Sequence, residues 1–320
     1  MKSWKTFVRQ LYMMAFLFPA VLLSGTRFEP LNTGNTSAQQ PSQAARRCIT
    51  VDFGGSKSEM ELETYVVGVV LAEMPAEFEP EALKAQAAAA RTFAWKAAST
   101  GGKHGDGSVC TDYSCCQGYV AETDFIENYG TQEELKKIKD AVSSTADMVV
   151  TYQGNLIEAT YFSSSGGFTE DAAAVWGGSY PYLVSKESPE EAREGETFSV
   201  FSSAFLESTL HTKLDGPPDT WFHDWEFTNG GGVASVGIGN RVFSGTAIRE
   251  ALSLRSTIFT VSIENDVVVF HTIGYGHRVG MSQLGADAMA LEGKTYDEIL
   301  CYYYTGTELT PISALADIAH

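Results

Sequence analysis

Glu73 is the residue whose placement most invites chemistry. Leu62, Tyr65, Val66, Val69 and Val70 recur at helical spacing, and one further turn of that stripe lands on Glu73. The carboxylate is therefore expected on the buried side of an amphipathic helix. An ionised carboxylate against apolar surface is unfavourable, so such a group raises its pKa until it holds a proton near neutrality, as a general acid must. The same position also suits a helix-end glutamate turned to water, or one paired with Arg91 or Lys84, and the residues alone leave both readings open.

Three further groups could carry chemistry. His104, Cys110 and Cys116 follow one another at intervals of six in a loop that also holds Gly105, Asp106 and Gly107. Imidazole and thiolate are the usual ligands of zinc, while in an exported chain a disulfide among Cys48, Cys110, Cys115, Cys116 and Cys301 competes; the paired CxxC signature is missing. Tyr161 to Gly167 places Ser163, Ser164 and Ser165 before Gly166, so hydroxyls and closely approachable backbone amides could meet a sugar, or form an ordinary Ser/Gly turn. The run is not GxSxG. Gly274 to Gln283 supplies glycines with His277 and Gln283 as hydrogen-bonders, without the βαβ setting of a dinucleotide fingerprint.

The elements that must position these residues are legible in outline. Pro75 ends the helix that carries Glu73, and Glu79-Pro80 opens a second, which runs to about Thr100 before Gly101-Gly102. Its face of Leu83, Ala87, Ala90, Ala94 and Ala97 is small enough for close packing. Met148 to Tyr152 with Leu156 to Phe162, and Ile258 to Ile263 with Val267 to Thr272, read as hairpins. Helices around Ala286 to Leu291 and Tyr296 to Tyr304 close the chain. Helices first and last with strands between give an α+β fold, with helical N-terminal and C-terminal parts, β-hairpins and mixed sheet.

With 44% hydrophobic residues in 320, the chain can bury one large core or two smaller lobes. Its net charge of -18 argues against a nucleic-acid partner. Lys2, Lys5 and Arg9 precede an apolar run from Leu11 to Leu23, the shape of a secretory signal. A retained signal-anchor is favoured over a cleaved signal, which puts the folded part outside the membrane, or secreted if cleavage occurs. Residues 25–47 have the polar composition of a tether.

Taken together, the segments Val69-Val70-Leu71-Ala72-Glu73-Met74-Pro75, Glu81 to Thr92, Ser163 to Gly167, Pro181-Tyr182-Leu183 and Gly276-His277 with Val279 to Gln283 resemble the stage II sporulation protein D family, which has relatives among amidase enhancers. The resemblance covers roughly residues 48–310, leaving 311–320 as a tail. It implies a peptidoglycan lytic transglycosylase acting in septal wall remodelling and engulfment on glycan strands already stripped of stem peptides. The amidase that strips them would be stage II sporulation protein P, with the associated membrane protein M as a further partner. Glu73 would be catalytic, in a glycan-binding groove. Arg91, Tyr161, Ser163, Ser164, Ser165, Gly166, His277 and Gln283 would contact substrate by motif position, and His104, Cys110 and Cys116 would hold a structural zinc. Arg278 stands where many relatives have Gly, and Cys115 is an extra thiol without an assigned purpose. A single carboxylate suits a lytic transglycosylase, because the sugar's own 6-hydroxyl replaces the second carboxylate of ordinary glycosidases. Two rivals stand beside this reading: a non-catalytic, glycan-binding amidase enhancer, and a zinc hydrolase. Glu77 or Glu79 could also serve as a second carboxylate for hydrolysis.

Overall fold

The computed structural model describes residues 46–189, 195–264 and 266–315. The expected membrane segment and most of the polar tether lie outside these residues. Among the described residues, no helix is long and apolar enough to cross a membrane. Arg47, assigned to the tether by composition, already belongs to the folded part: it pairs with Asp147 at 2.6 Å, and its carbonyl accepts from Leu62 N at 2.8 Å.

Strands β1 (Cys48–Asp52) and β2 (Lys57–Glu61) pair antiparallel and lead straight into helix α1 (Leu62–Glu73). Met74 takes an extended conformation, φ -126° and ψ 138°, as a residue before proline should, and the helix stops one residue after its last apolar turn. Helix α2 (Pro80–Thr100) begins with Pro at its first position and ends on Gly101 at φ 88°. Ala85, Ala87, Ala88, Ala89 and Ala90 are all fully buried, as is Gln86 among them, so α2 is buried on every side in its middle and forms the axis of the first core. Helix α1 departs from the expected single stripe in the same way. Val67 and Gly68 on its other side are buried too, because the ring of Tyr119 lies on Gly68, where a Cβ would come within 2.2 Å of it.

Strand β3 (Val109–Cys110) adds parallel to β1, and helices α3 (Glu122–Asn128) and α4 (Gln132–Ser144) follow; α4 is fixed by a Thr131/Glu134 capping box. Strand β4 (Met148–Tyr152) turns back as expected, but its partner β5 is only Asn155–Leu156, and β6 (Tyr161–Phe162) leaves the hairpin for another sheet. After a short helix α5 (Ala172–Trp176) comes a second unit of packing. Strand β7 (Thr197–Ser202), helix α6 (Ser203–Leu210), strands β8 (Phe222–Phe227), β9 (Val233–Ile238) and β10 (Arg241–Ser244), helix α7 (Gly245–Leu252) and the hairpin β11 (Ile258–Glu264) with β12 (Val267–Ile273) form two three-stranded sheets. These bury Leu206, Val236, Ile248, Phe259, Val268 and Phe270 in a core of their own.

The chain then returns to the first core. Strand β13 (Met281–Ser282) pairs parallel with β6, helices α8 (Gln283–Leu291) and α9 (Tyr296–Tyr303) pack on α2, and β14 (Glu308–Pro311) pairs with β4. Ile312 is buried and its N–H bonds to Asp147 O at 2.7 Å, so the residues just past 310 belong to the fold and are not a tail. Arg278 is fully buried at the return point, with φ 65°. Its guanidinium donates to Ser165 O and Phe168 O at 2.9 Å, to Gly230 O, and to Glu170 Oε1 at 3.2 Å, joining the Ser-rich loop to the edge of the second core. The architecture is α+β, as expected.

Candidate functional site

Glu73 is the last residue of α1, where the backbone turns away and leaves the side chain at the rim of the first core. Its Oε1 accepts from Gly118 N at 2.8 Å, and Gln283 donates to the same carboxylate. Burial raises its pKa above the ordinary carboxylate value, and the two neutral donors offset this only in part. Neither cation proposed from the sequence as a partner is present. Lys84 pairs with Glu81 at 2.6 Å, and Arg91 with Glu63 at 2.7 Å.

A hydrogen-bonded chain of neutral groups adjoins the carboxylate. Tyr65 Oη donates to Gln117 Oε1 at 3.3 Å, and Gln117 Nε2 donates to Tyr161 Oη at 2.8 Å. Burial, followed by the Glu73 charge, holds the Tyr161 phenol well above its usual pKa, so it stays a neutral donor. Gln117 and Gly118 were not singled out in the sequence, although they directly follow Cys116. Gly118 is required by the close approach, since a Cβ there would sit 3.0 Å from Glu73 Oε1 and 3.3 Å from Ala72 Cβ.

The β6–β13 register, Tyr161 against Met281 and Ser282 against Phe162, delivers Gln283 to Glu73 at the first turn of α8. His277 lies along the same seam, edge-on to Phe162 and Trp176 with ring centroids at 5.8 and 5.2 Å. Its Nδ1 accepts from Val279 N at 3.1 Å, which leaves the proton of the neutral ring on Nε2. Burial, with the nearby charges of Arg249 and Lys103, pushes its pKa down to about 4, so the ring is neutral at physiological pH.

Other expected substrate contacts are placed differently. Arg91 is a correction: it is fully buried, grips Glu63 with two nitrogens, and donates to Val142 O and Met148 O. Glu63 stands ten residues before Glu73 on α1, about 15 Å away along the axis, so Arg91 is a structural clamp remote from the carboxylate. Ser164 and Ser165 are also buried. Ser164 exchanges two backbone hydrogen bonds with Tyr275, Ser165 Oγ accepts from Gly167 N at 2.9 Å, and Gly166 turns at φ 70°. They shape the loop, and Ser163 alone of the three hydroxyl residues is partly exposed.

His104, Cys110 and Cys116 do converge, and Cys115 joins them. One side-chain donor atom from each of the four lies within 4.8 Å of all the others. His104 Nε2 is 3.4 Å from Cys116 Sγ and 3.7 Å from Cys115 Sγ, and the two adjacent sulfurs are 3.9 Å apart. A tetrahedral zinc with sulfur at 2.3 Å and nitrogen near 2.0 Å would have edges of about 3.5–3.8 Å, so the four residues fit such an ion. None of the five cysteines is disulfide-bonded. Burial, with the neighbouring thiols, pushes the Cys116 thiol up to about 12. The loop runs directly into Gln117 and Gly118, so whatever fixes it also fixes the amide that holds Glu73.

Residues 55–152 match a family model described as a stage II sporulation protein. Over 265 residues the chain is 42% identical to Stage II sporulation protein D of Bacillus subtilis (strain 168), covering 81% of this chain and 77% of that one. It is 38% identical to the protein of the same name from Bacillus amyloliquefaciens, over 80% of this chain and 76% of the relative. An amidase enhancer of Bacillus subtilis is 29% identical over 76% of this chain, which corresponds to 40% of that longer protein.

Proposed function

The chain belongs to the stage II sporulation protein D family, a sporulation family, and from that premise we propose that it is a lytic transglycosylase that cleaves peptide-free peptidoglycan strands. The observation that carries this reading is Glu73: a buried carboxylate with raised pKa, held by the neutral donors Gly118 N–H and Gln283 and by no cation among the described residues. Such a group can protonate the glycosidic oxygen and then receive the proton of the muramoyl 6-hydroxyl as it attacks the anomeric carbon, closing a 1,6-anhydro ring. Gly118 N–H and Gln283 orient the carboxylate, and they and nearby Tyr161 stay neutral throughout. Hydrolysis would need a second carboxylate. Asp287 shares a face of α8 with Gln283, but it accepts from Glu79 N at 2.6 Å at the start of α2.

His104, Cys110, Cys115 and Cys116 hold a structural zinc in this reading, with protein donors at every tetrahedral position; bound there, the ion crosslinks the loop and takes no part in proton transfer. The N-terminal segment anchors the protein in the cytoplasmic membrane, with the catalytic part outside. The partners are the amidase that exposes the strands, stage II sporulation protein P, and membrane protein M. The similarity to an amidase enhancer supports one alternative, a strand-binding protein without chemistry of its own.

Mass spectrometry of peptide-free strands incubated with the protein tests the reading. Anhydro-muramic ends are expected; reducing ends would mean hydrolysis, and binding without products would favour the enhancer. The pH profile adds a check. Because the acid form of Glu73 starts the reaction, kcat/KM falls as pH rises through its pKa. Gln283 donates to the carboxylate and so favours its ionised form; Gln283→Ala removes that bond and should shift the alkaline limb to higher pH. A limb that stays or moves down would assign it to another group.

A further inference from the structure

The chain is strongly acidic, and most of its described lysines and arginines meet a carboxylate, yet two that do not, Arg249 and Lys103, lie close enough to His277 for their charges to act on it. Arg249, on α7, donates through Nε to Arg255 O at 3.2 Å, and the same carbonyl accepts from Gly276 N at 2.9 Å. This places the Arg249 side chain against the residue before His277. Its terminal amino groups have no acceptor among the described residues, and it makes no ion pair with the adjacent Glu250. Lys103, from the zinc-ligand loop, donates to Cys115 O. Cys115 stands three residues before Gly118, whose N–H binds Glu73, and three residues span at most about 11 Å. His277, which the charges of both cations reach, offers a neutral Nε2–H, and Trp176 beside it is 44% exposed.

Two cations without carboxylate partners, a neutral N–H donor and an open indole are the components of a site for an anionic sugar. Removal of a stem peptide from a muramoyl residue replaces an amide by a free lactyl carboxylate, so a peptide-free strand carries one negative charge on every second sugar. We infer that Lys103 and Arg249, with the Nε2–H of His277, bind the lactyl carboxylate of a muramoyl residue near the cleavage position, while Trp176 stacks on the adjoining ring. The inference rests on the proposed substrate and deepens it. Preference for peptide-free strands becomes a matter of charge recognition: an amide in that position is uncharged and carries bulk that the cationic pair does not match.

The test compares peptide-free strands with the same strands after their carboxylates have been converted to primary amides, using the full-length protein with its metal. Wild type should lose about tenfold in kcat/KM on the amidated strands, mostly through KM. Arg249→Gln should show a similar loss on the carboxylate strands and no further loss on the amidated ones, and Arg249→Lys should recover most of it. Equal wild-type turnover of both strands would overturn the inference, as would an Arg249→Gln loss of the same size on both. The substrate comparison needs no variant, so it stands even if Arg249→Gln folds poorly. Should wild type cleave neither strand, the lytic reading fails, but co-sedimentation still decides the inference: weaker binding of amidated strands supports it, and equal binding overturns it.

Discussion

Glu73→Gln is expected to abolish anhydro-end formation, lowering kcat by about a thousandfold or more, while strand binding by co-sedimentation stays within a factor of a few. The substitution preserves shape. The side-chain oxygen can still accept from Gly118 N, so the end of α1 and the loop after Cys116 keep their places. What disappears is the one titratable proton at that position. The neighbouring donors, Tyr161 with its raised pKa and the amide of Gln283, are too weakly acidic to replace it. Cleavage that persists in the variant would sink the assignment of Glu73, and unchanged melting would confirm that the loss is chemical.

Removal of metal should have the other large effect, through structure. The purified protein is expected to contain one zinc per chain, and a strong chelator or Cys116→Ser should lower Tm by more than about 10 °C as cleavage disappears. The four donors come from one 13-residue stretch, His104 to Cys116, which has little apolar surface of its own. Without a crosslink, that stretch stops holding Gln117 and Gly118 against Tyr161 and Glu73. Fold and activity therefore fail together. Reversible loss of turnover with melting unchanged would instead describe an open metal position and revive the zinc hydrolase.

The clearest parts of the sequence were those with local punctuation. Pro75, Glu79-Pro80 and Gly101 bounded α1 and α2 because proline and glycine act on their own backbone, and the β11–β12 hairpin announced itself by a short polar turn between β-branched runs. The β6–β13 pairing was not legible. Two residues pair parallel with two others more than a hundred positions away, and no periodicity marks such a contact. For that reason Leu156 to Phe162 read as one strand, although the convergence of Tyr161 and Gln283 depends on its being broken. Arg91 was misplaced because its motif position carries no information about burial; Glu63, in the first turn of α1, was its unnoticed partner. Cys115 needed the folded loop, since adjacent residues approach one ion only when the backbone between them turns.

The first core is sewn from both ends of the described chain, with the whole second core threaded between. The site inherits that topology: Glu73 and Gly118 come from the first third, Tyr161 from the middle, and Gln283 only after the chain has returned. No N-terminal fragment can assemble it, and the contacts that complete it are among the most distant in sequence, which form late. For the wall-cutting enzyme proposed above, this order would act as a safeguard: an unfinished or clipped chain carries Glu73 but lacks the seam that would arm it.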